Sequence, residues 1–66
     1  MGGNSGGIIV RQAAKQALSD PTVHGNLPAH TKTILDPILA KDEGDWSPAE
    51  CKSVADAIHW AICHLA

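Results

Sequence analysis

The chain has 66 residues, five Lys or Arg against seven Asp or Glu, a formal net charge of −2 and two aromatic residues, both tryptophan. This length fits one domain, and a core of this size rarely supplies more than about 3–5 kcal/mol without a metal, disulfides, tight helix packing or oligomerisation. The basic side chains are scattered, so no nucleic-acid partner is expected. No apolar run approaches the ~20 residues of a membrane span, so no membrane partner is expected either.

The chain opens with MGGNSGG, and residues 1–7 are predicted to be a flexible glycine-rich leader. No strand precedes this segment and no P-loop lysine follows it, so it lacks the pattern of a phosphate-binding loop. Residues 8–66 are predicted to form a single helical domain.

The stretch RQAAKQAL favours a first helix from about Ile8 to Leu18, because alanine is the best helix former. Its spacing predicts one buried stripe, made of Val10, Ala13, Ala14, Ala17 and Leu18. Asp20 followed by Pro21 then pairs a favoured N-cap with proline at the first helical position. It predicts a short turn of helix that Gly25 stops.

A second helix is predicted from about Pro28. Its expected buried stripe is Leu27, Thr31, Ile34, Leu35 and Ile38. Pro37 follows Asp36 inside this segment, and because proline removes a backbone hydrogen bond, we expect the helix to kink or restart there.

A long last helix is predicted from about Pro48 to Leu65. The stretch SPAE before it is a capping box, in which Ser47 and Glu50 satisfy each other's backbone amides. Trp46 is expected to pack near Cys51 at the start of this helix. The predicted buried stripe is Cys51, Val54, Ala55, Ile58, Ala61, Ile62 and Leu65. Together the segments predict an all-α fold, a small three- to four-helix bundle with a proline-kinked or proline-restarted middle helix and a long C-terminal helix.

With Ile58 at the centre of the buried face, Trp60 lies about 200° away, on the back of the last helix. A large indole among small side chains is typical of a binding surface. We therefore expect a protein-interaction module that either self-associates as a homo-oligomer or docks on a larger partner. The alternative is that the N-terminal segment or the second helix covers Trp60. The expected partner-binding residues are Ala49, Ser53, Asp56, Ala57, Trp60 and His64.

His59 and Cys63 are four residues apart, a spacing at which two side chains on a helix can bind one metal ion. A metal-stabilised zinc domain is therefore an alternative, with His24 or His30 completing the site. The sequence has no CxxC or HExxH motif, so the main interpretation includes no metal and no cofactor.

Cys51 and Cys63 would lie about 18 Å apart on a continuous helix, far beyond the ~7 Å limit for a disulfide. Both are therefore predicted to be thiols, which suits a reducing, cytoplasmic location. A disulfide between two chains through Cys63 is the alternative that stays open. No catalytic residue and no enzymatic activity are expected, because Cys63 and the adjacent His64 point about 100° apart on a helix.

Two further alternatives stay open. The stretch AAKQALSDPTVHGNLPAHTKTIL contains two helices and a turn, as in a small DNA-binding domain, but its second helix carries little positive charge beyond Lys32. The small size and the glycine-rich start are also compatible with a secreted bacteriocin-like peptide.

Overall fold

The computed structural model describes the backbone of residues 2–65 and the side chains of residues 7–65. Within this part of the chain, the elements in order are α1 at Gly2–Ser19, α2 at Pro21–Asn26, α3 at Ala29–Leu39, a short 3-10 helix at Glu43–Asp45 and α4 at Pro48–Leu65. α1 packs against α2, α4 and the 3-10 helix, and α3 packs against α4. The predicted all-α bundle with a long C-terminal helix is confirmed.

α1 starts earlier than the sequence predicted. Its first helical residue is Gly2 rather than Ile8, so the backbone of residues 2–7, expected to be a leader, continues the first helix. The flexibility of this leader stays a prediction.

The buried side of α1 also differs from the predicted stripe. Leu18 is fully buried and Ala14 packs against the core, as predicted, but Val10, Ala13 and Ala17 are exposed. These three residues are exposed because a different edge of the helix, the one that carries Arg11 and Lys15, faces the rest of the chain. There Arg11 Nη1 donates to the carbonyl of Glu43 at 3.3 Å and Lys15 Nζ donates to the carbonyl of Lys41 at 2.7 Å. These contacts turn the edge carrying Arg11 and Lys15, which was expected to face water, toward the 3-10 helix.

The Asp20 cap begins α2 as predicted. The Asp20 carboxylate accepts from the amides of Thr22 at 2.8 Å and Val23 at 3.4 Å, so two amides at the start of the helix are satisfied. The helix is only six residues long, and the chain leaves it at Leu27, which is buried in the core.

Pro37 lies inside α3, and the helix continues through it to Leu39 without a new start at Asp36. Of the two predicted outcomes, the restart does not occur, and the kink stays a prediction. Because Pro37 is in the last turn, its missing N–H removes one hydrogen bond and leaves no long segment to reorient. Leu35 and Ile38 are buried as predicted, whereas Ile34, expected in the same stripe, is 53% exposed.

Trp46 joins the end of α3 to the start of α4. Its side chain is only 5% exposed, and its indole N–H donates to the carbonyl of Ile38 at 2.8 Å. It borders the same groove as Cys51, which agrees with the predicted packing. The described core consists of Leu18, Leu27, Leu35, Ile38, Trp46, Val54 and Ala57.

The capping box at the start of α4 is confirmed. Glu50 Oε1 accepts from the Ser47 amide at 2.9 Å, and Ser47 Oγ accepts from the Glu50 amide at 3.1 Å. Lys41 adds a bidentate contact to the same carboxylate, at 2.8 and 3.0 Å. One carboxylate thus links the loop after α3 to the first turn of α4.

The orientation of α4 is the main departure from the predicted stripes. Its two buried residues are Val54 and Ala57, which lie 40° and 100° before Ile58 at about 100° per residue. The buried face is therefore rotated by about 70° from the prediction centred on Ile58. Ala55 and Ile62, which were expected in the buried stripe, are exposed as a result. Leu65, also expected there, is exposed at the last residue of the helix.

The acid sensitivity of the fold gives a first prediction. The hydrogen bond from Lys41, together with the Ser47 amide, holds the pKa of Glu50 below its ordinary value of 4.5. Because the folded-state pKa is lowered, the stabilisation by Glu50 is complete above pH 4.5 and is lost as the pH falls through the folded-state value. We expect Glu50→Gln to lower the Tm at pH 7 and to flatten the fall in Tm below pH 4.5, as measured by circular dichroism.

The matched control is Asp56→Asn, which breaks an exposed ion pair with Lys52. Exposed pairs of this kind contribute little, so this variant should follow the wild-type profile. An acid profile of Glu50→Gln as steep as that of the wild type would contradict the assigned role of Glu50.

Candidate functional site

An apolar groove runs between α1 and α4 and has a volume of about 570 Å³. The buried side chains of Trp46 and Val54 form its floor, and Arg11 and His59 are its most polar lining residues. We call it the α1–α4 groove. Its full lining is Gly7, Val10, Arg11, Ala14, Trp46, Cys51, Val54, Ala55, Ile58, His59 and Ile62.

Both rims of the α1–α4 groove carry large exposed aliphatic side chains. Val10 on α1 is 67% exposed and Ile62 on α4 is 63% exposed. Sequence reasoning assigned both residues to the core. A helical pattern shows which residues share one face of a helix, but it does not show which face the folded chain turns toward the core. The groove is therefore a feature that the sequence prediction missed.

The predicted back-face surface of α4 is divided in the structure. Ala57 is only 3% exposed and belongs to the core, so its assignment to an exposed binding surface is wrong. Ser53 is half-buried, whereas Ala49 and Asp56 are exposed. Asp56 Oδ2 accepts from Lys52 Nζ at 3.1 Å.

Trp60 is partly covered within the chain. It packs against the core, and its indole stacks on the His64 ring with centroids 4.5 Å apart and planes 12° from parallel. His64 itself is exposed, and its Nδ1 lies 2.9 Å from the Trp60 carbonyl. The His64 ring therefore covers part of the indole, and Trp60 is less exposed than the sequence predicted.

A second, smaller groove lies between α3 and α4, with a volume of about 310 Å³. We call it the α3–α4 groove. It contains Ser53, Asp56 and Trp60 of the predicted back-face surface together with the exposed Ile34, whereas Ala49 and His64 lie outside it. Its lining is His30, Thr31, Ile34, Leu35, Ser53, Asp56, Ala57 and Trp60.

His59 and Cys63 lie together on the exposed side of α4, with Cys63 Sγ 3.8 Å from His59 Nε2. The side chains described here contain no group of three or more His, Cys, Asp or Glu residues that could hold a metal ion. The idea that His24 or His30 completes a zinc site with this pair is therefore wrong. Instead, His24 lies in α2 and its Nε2 is 2.8 Å from Asp36 Oδ1.

Cys51 and Cys63 are both free thiols, as predicted. The basic side chains of Arg11, Lys15 and Lys41 form hydrogen bonds to residues of the same chain.

Compared with known proteins, the chain matches no protein family, no curated protein and no solved structure. Within residues 2–65, no helix combines the length and the apolar character that crossing a bilayer requires. Among the described residues, the two grooves and the His59–Cys63 pair are the features that bear on function.

Proposed function

We propose that this chain is a small protein-interaction module that self-associates, with two copies covering each other's α1–α4 groove. The observation that carries the proposal is the exposure of Val10 and Ile62 on the two rims of that groove. Burying a large aliphatic side chain contributes about 1.5–3 kcal/mol. A second copy would remove both side chains from water.

The α1–α4 groove suits a second copy because the same patch carries both a hollow and protruding side chains. In a two-fold symmetric dimer each copy contributes the same surface, so that surface has to be complementary to itself. Ile62 of one copy can enter the groove of the other beside Ala55 and Ile58, and the reciprocal contact forms at the same time. Each favourable contact is therefore made twice.

The size of the core supports the same proposal. A chain of 66 residues buries a small core, and neither cysteine is in a disulfide. Small domains without such a bond commonly gain stability from oligomerisation. Free thiols also suit a reducing compartment, and we place the protein in the cytoplasm as part of the proposal.

The α3–α4 groove supports docking less well. It is about half the volume of the α1–α4 groove, and its most prominent apolar residue, Trp60, already packs on the core and on His64. Ile34 is the exposed aliphatic residue of this groove, which makes it the matched comparison for Ile62.

The proposal predicts that Ile62→Asp separates the dimer and that Ile34→Asp does not. Each Ile62 that leaves the interface removes about 1.5 kcal/mol of favourable association free energy, and a symmetric dimer contains two such residues. The Kd of the dimer should therefore rise by roughly 100-fold. Sedimentation equilibrium over a range of concentrations, in buffer with a reductant and a chelator, measures this Kd.

Both substitutions place a charge at an exposed position, so circular dichroism should show helical content equal to the wild type in each. Dissociation caused by Ile34→Asp but not by Ile62→Asp would transfer the interface to the α3–α4 groove and overturn the proposal. A wild type that stays monomeric at every concentration, with or without added metal, would overturn it as well.

A further inference from the structure

We infer that His59 and Cys63 are half of a zinc site that a second copy completes where two α4 helices meet. The inference rests on the proposed self-association and names the ion that joins the two copies. The two ligand atoms, Cys63 Sγ and His59 Nε2, are already close together, and both side chains are exposed.

The distance between the two ligand atoms matches the requirement of a tetrahedral zinc ion. With Zn–S near 2.3 Å and Zn–N near 2.0–2.1 Å, two ligands at the tetrahedral angle lie about 3.6 Å apart. Cys63 Sγ and His59 Nε2 are 3.8 Å apart. The separation of these two atoms, on side chains at i and i+4 of one helix, therefore has to change by only a few tenths of an ångström.

One chain supplies too few ligands for a structural site. Structural zinc is almost always bound by four protein ligands, and no third His, Cys, Asp or Glu joins the pair among the described side chains. A two-fold axis beside the pair would bring in the same two residues again. The result is a Cys₂His₂ site, which is incomplete without the second copy.

The pair lies at the edge of the proposed interface. His59 lines the α1–α4 groove, and Cys63 directly follows Ile62 in the sequence. In an antiparallel crossing of two α4 helices, His59 of one copy would approach Cys63 of the other while Ile62 enters the groove. Zinc and apolar burial would thus stabilise the same arrangement.

The protons balance in a simple way. Zinc binds the thiolate, so each Cys63 thiol loses its proton to solvent as Sγ binds. His59 binds through Nε2 in its neutral form, with the proton on Nδ1. One zinc ion per dimer therefore releases two protons from the thiols, and its affinity should rise as the pH rises.

Zinc titration of the chelator-treated, reduced protein tests the inference. We expect one zinc ion for two chains by calorimetry. Sedimentation equilibrium should show a dimer Kd lowered by roughly tenfold when free zinc is about ten times its own Kd. Cobalt(II) in place of zinc should give a thiolate-to-cobalt absorption band, which reports the Cys63–metal bond directly.

Four variants give this test its controls. His59→Ala and Cys63→Ser should each abolish the zinc effect on the dimer Kd, and Cys63→Ser should abolish the cobalt band. His30→Ala and His64→Ala remove exposed histidines that the inference does not use, so both should behave as the wild type.

The two proposals fail in different ways. A dimer in chelator whose Kd zinc does not change, or a zinc effect that survives Cys63→Ser, would overturn the zinc site and leave the groove interface intact. A zinc-dependent dimer that survives Ile62→Asp would support the zinc site and overturn the role of the groove. Zinc bound to each chain without tightening the dimer would overturn the shared site.

Discussion

Trp46→Ala is expected to unfold most of the protein. Removing a buried tryptophan costs about 3–5 kcal/mol, which equals the whole stability expected of a core this small. Trp46 is 5% exposed and connects the last turn of α3 to the start of α4 through its hydrogen bond to Ile38. The measurement is urea unfolding at neutral pH, followed by circular dichroism.

Trp46→Phe separates packing from hydrogen bonding. It keeps an aromatic ring in the core but loses the indole N–H, and the Ile38 carbonyl still accepts from the Lys41 amide at 3.1 Å. Trp46→Phe should therefore lower the free energy of unfolding by less than Trp46→Ala does, because the burial of an aromatic ring is kept. Trp60→Ala, at a half-buried tryptophan, should also cost less than Trp46→Ala. Near wild-type stability of Trp46→Ala would contradict the assignment of Trp46 to the core.

Leu18→Ala is expected to lower the free energy of unfolding by about 2–5 kcal/mol, because it leaves a cavity at a fully buried position. Val10→Ala is the matched comparison on the same helix. The sequence placed both residues in one buried stripe, whereas the structure buries only Leu18. Val10→Ala should therefore change the stability of the monomer by less than about 0.5 kcal/mol.

The pair is measured by urea unfolding of each variant in the Ile62→Asp background, at protein concentrations below the raised Kd of the proposed dimer. Under those conditions the effect of Val10→Ala on the free energy of unfolding reports only the packing of Val10 within the monomer. Equal destabilisation by the two substitutions would show that α1 is oriented as the sequence pattern suggested, and it would remove the rim of the α1–α4 groove.

Local chemistry accounts for the parts of the fold that the sequence predicted. The Asp20 cap and the Ser47–Glu50 capping box each depend on residues within three positions of one another, and both form as expected. The number and order of the helices follow from such signals and from helical periodicity. The same holds for the two thiols, since helix geometry alone separates Cys51 from Cys63.

The rotation of the helices depends on contacts that are distant in the sequence. Arg11 and Lys15 are fixed by carbonyls at positions 43 and 41, and no local pattern announces those partners. On α4, the small Ala57 lets the core approach closely, while the larger Ile62 is left outside. Sequence reasoning gave the largest aliphatic side chains to the core and therefore did not foresee that Val10 and Ile62 are exposed.

Pro37 is a similar case. Proline inside a helical pattern predicts a kink or a restart of the helix, and which of them follows depends on how many helical residues remain after the proline. In α3 the helix ends two residues later, and Trp46 then binds the Ile38 carbonyl near that end. The loop after α3 thus supplies part of the stabilisation that an isolated helical segment would lack.

The central claim is that two copies meet through the α1–α4 groove, and isotope-filtered NMR of a mixture of labelled and unlabelled chains tests it most directly. The account predicts contacts between copies from the Ile62 methyl groups to Val10 and Ala55. Contacts between copies confined to Ile34 and Trp60, or none at concentrations where the mass is that of a dimer, would contradict it.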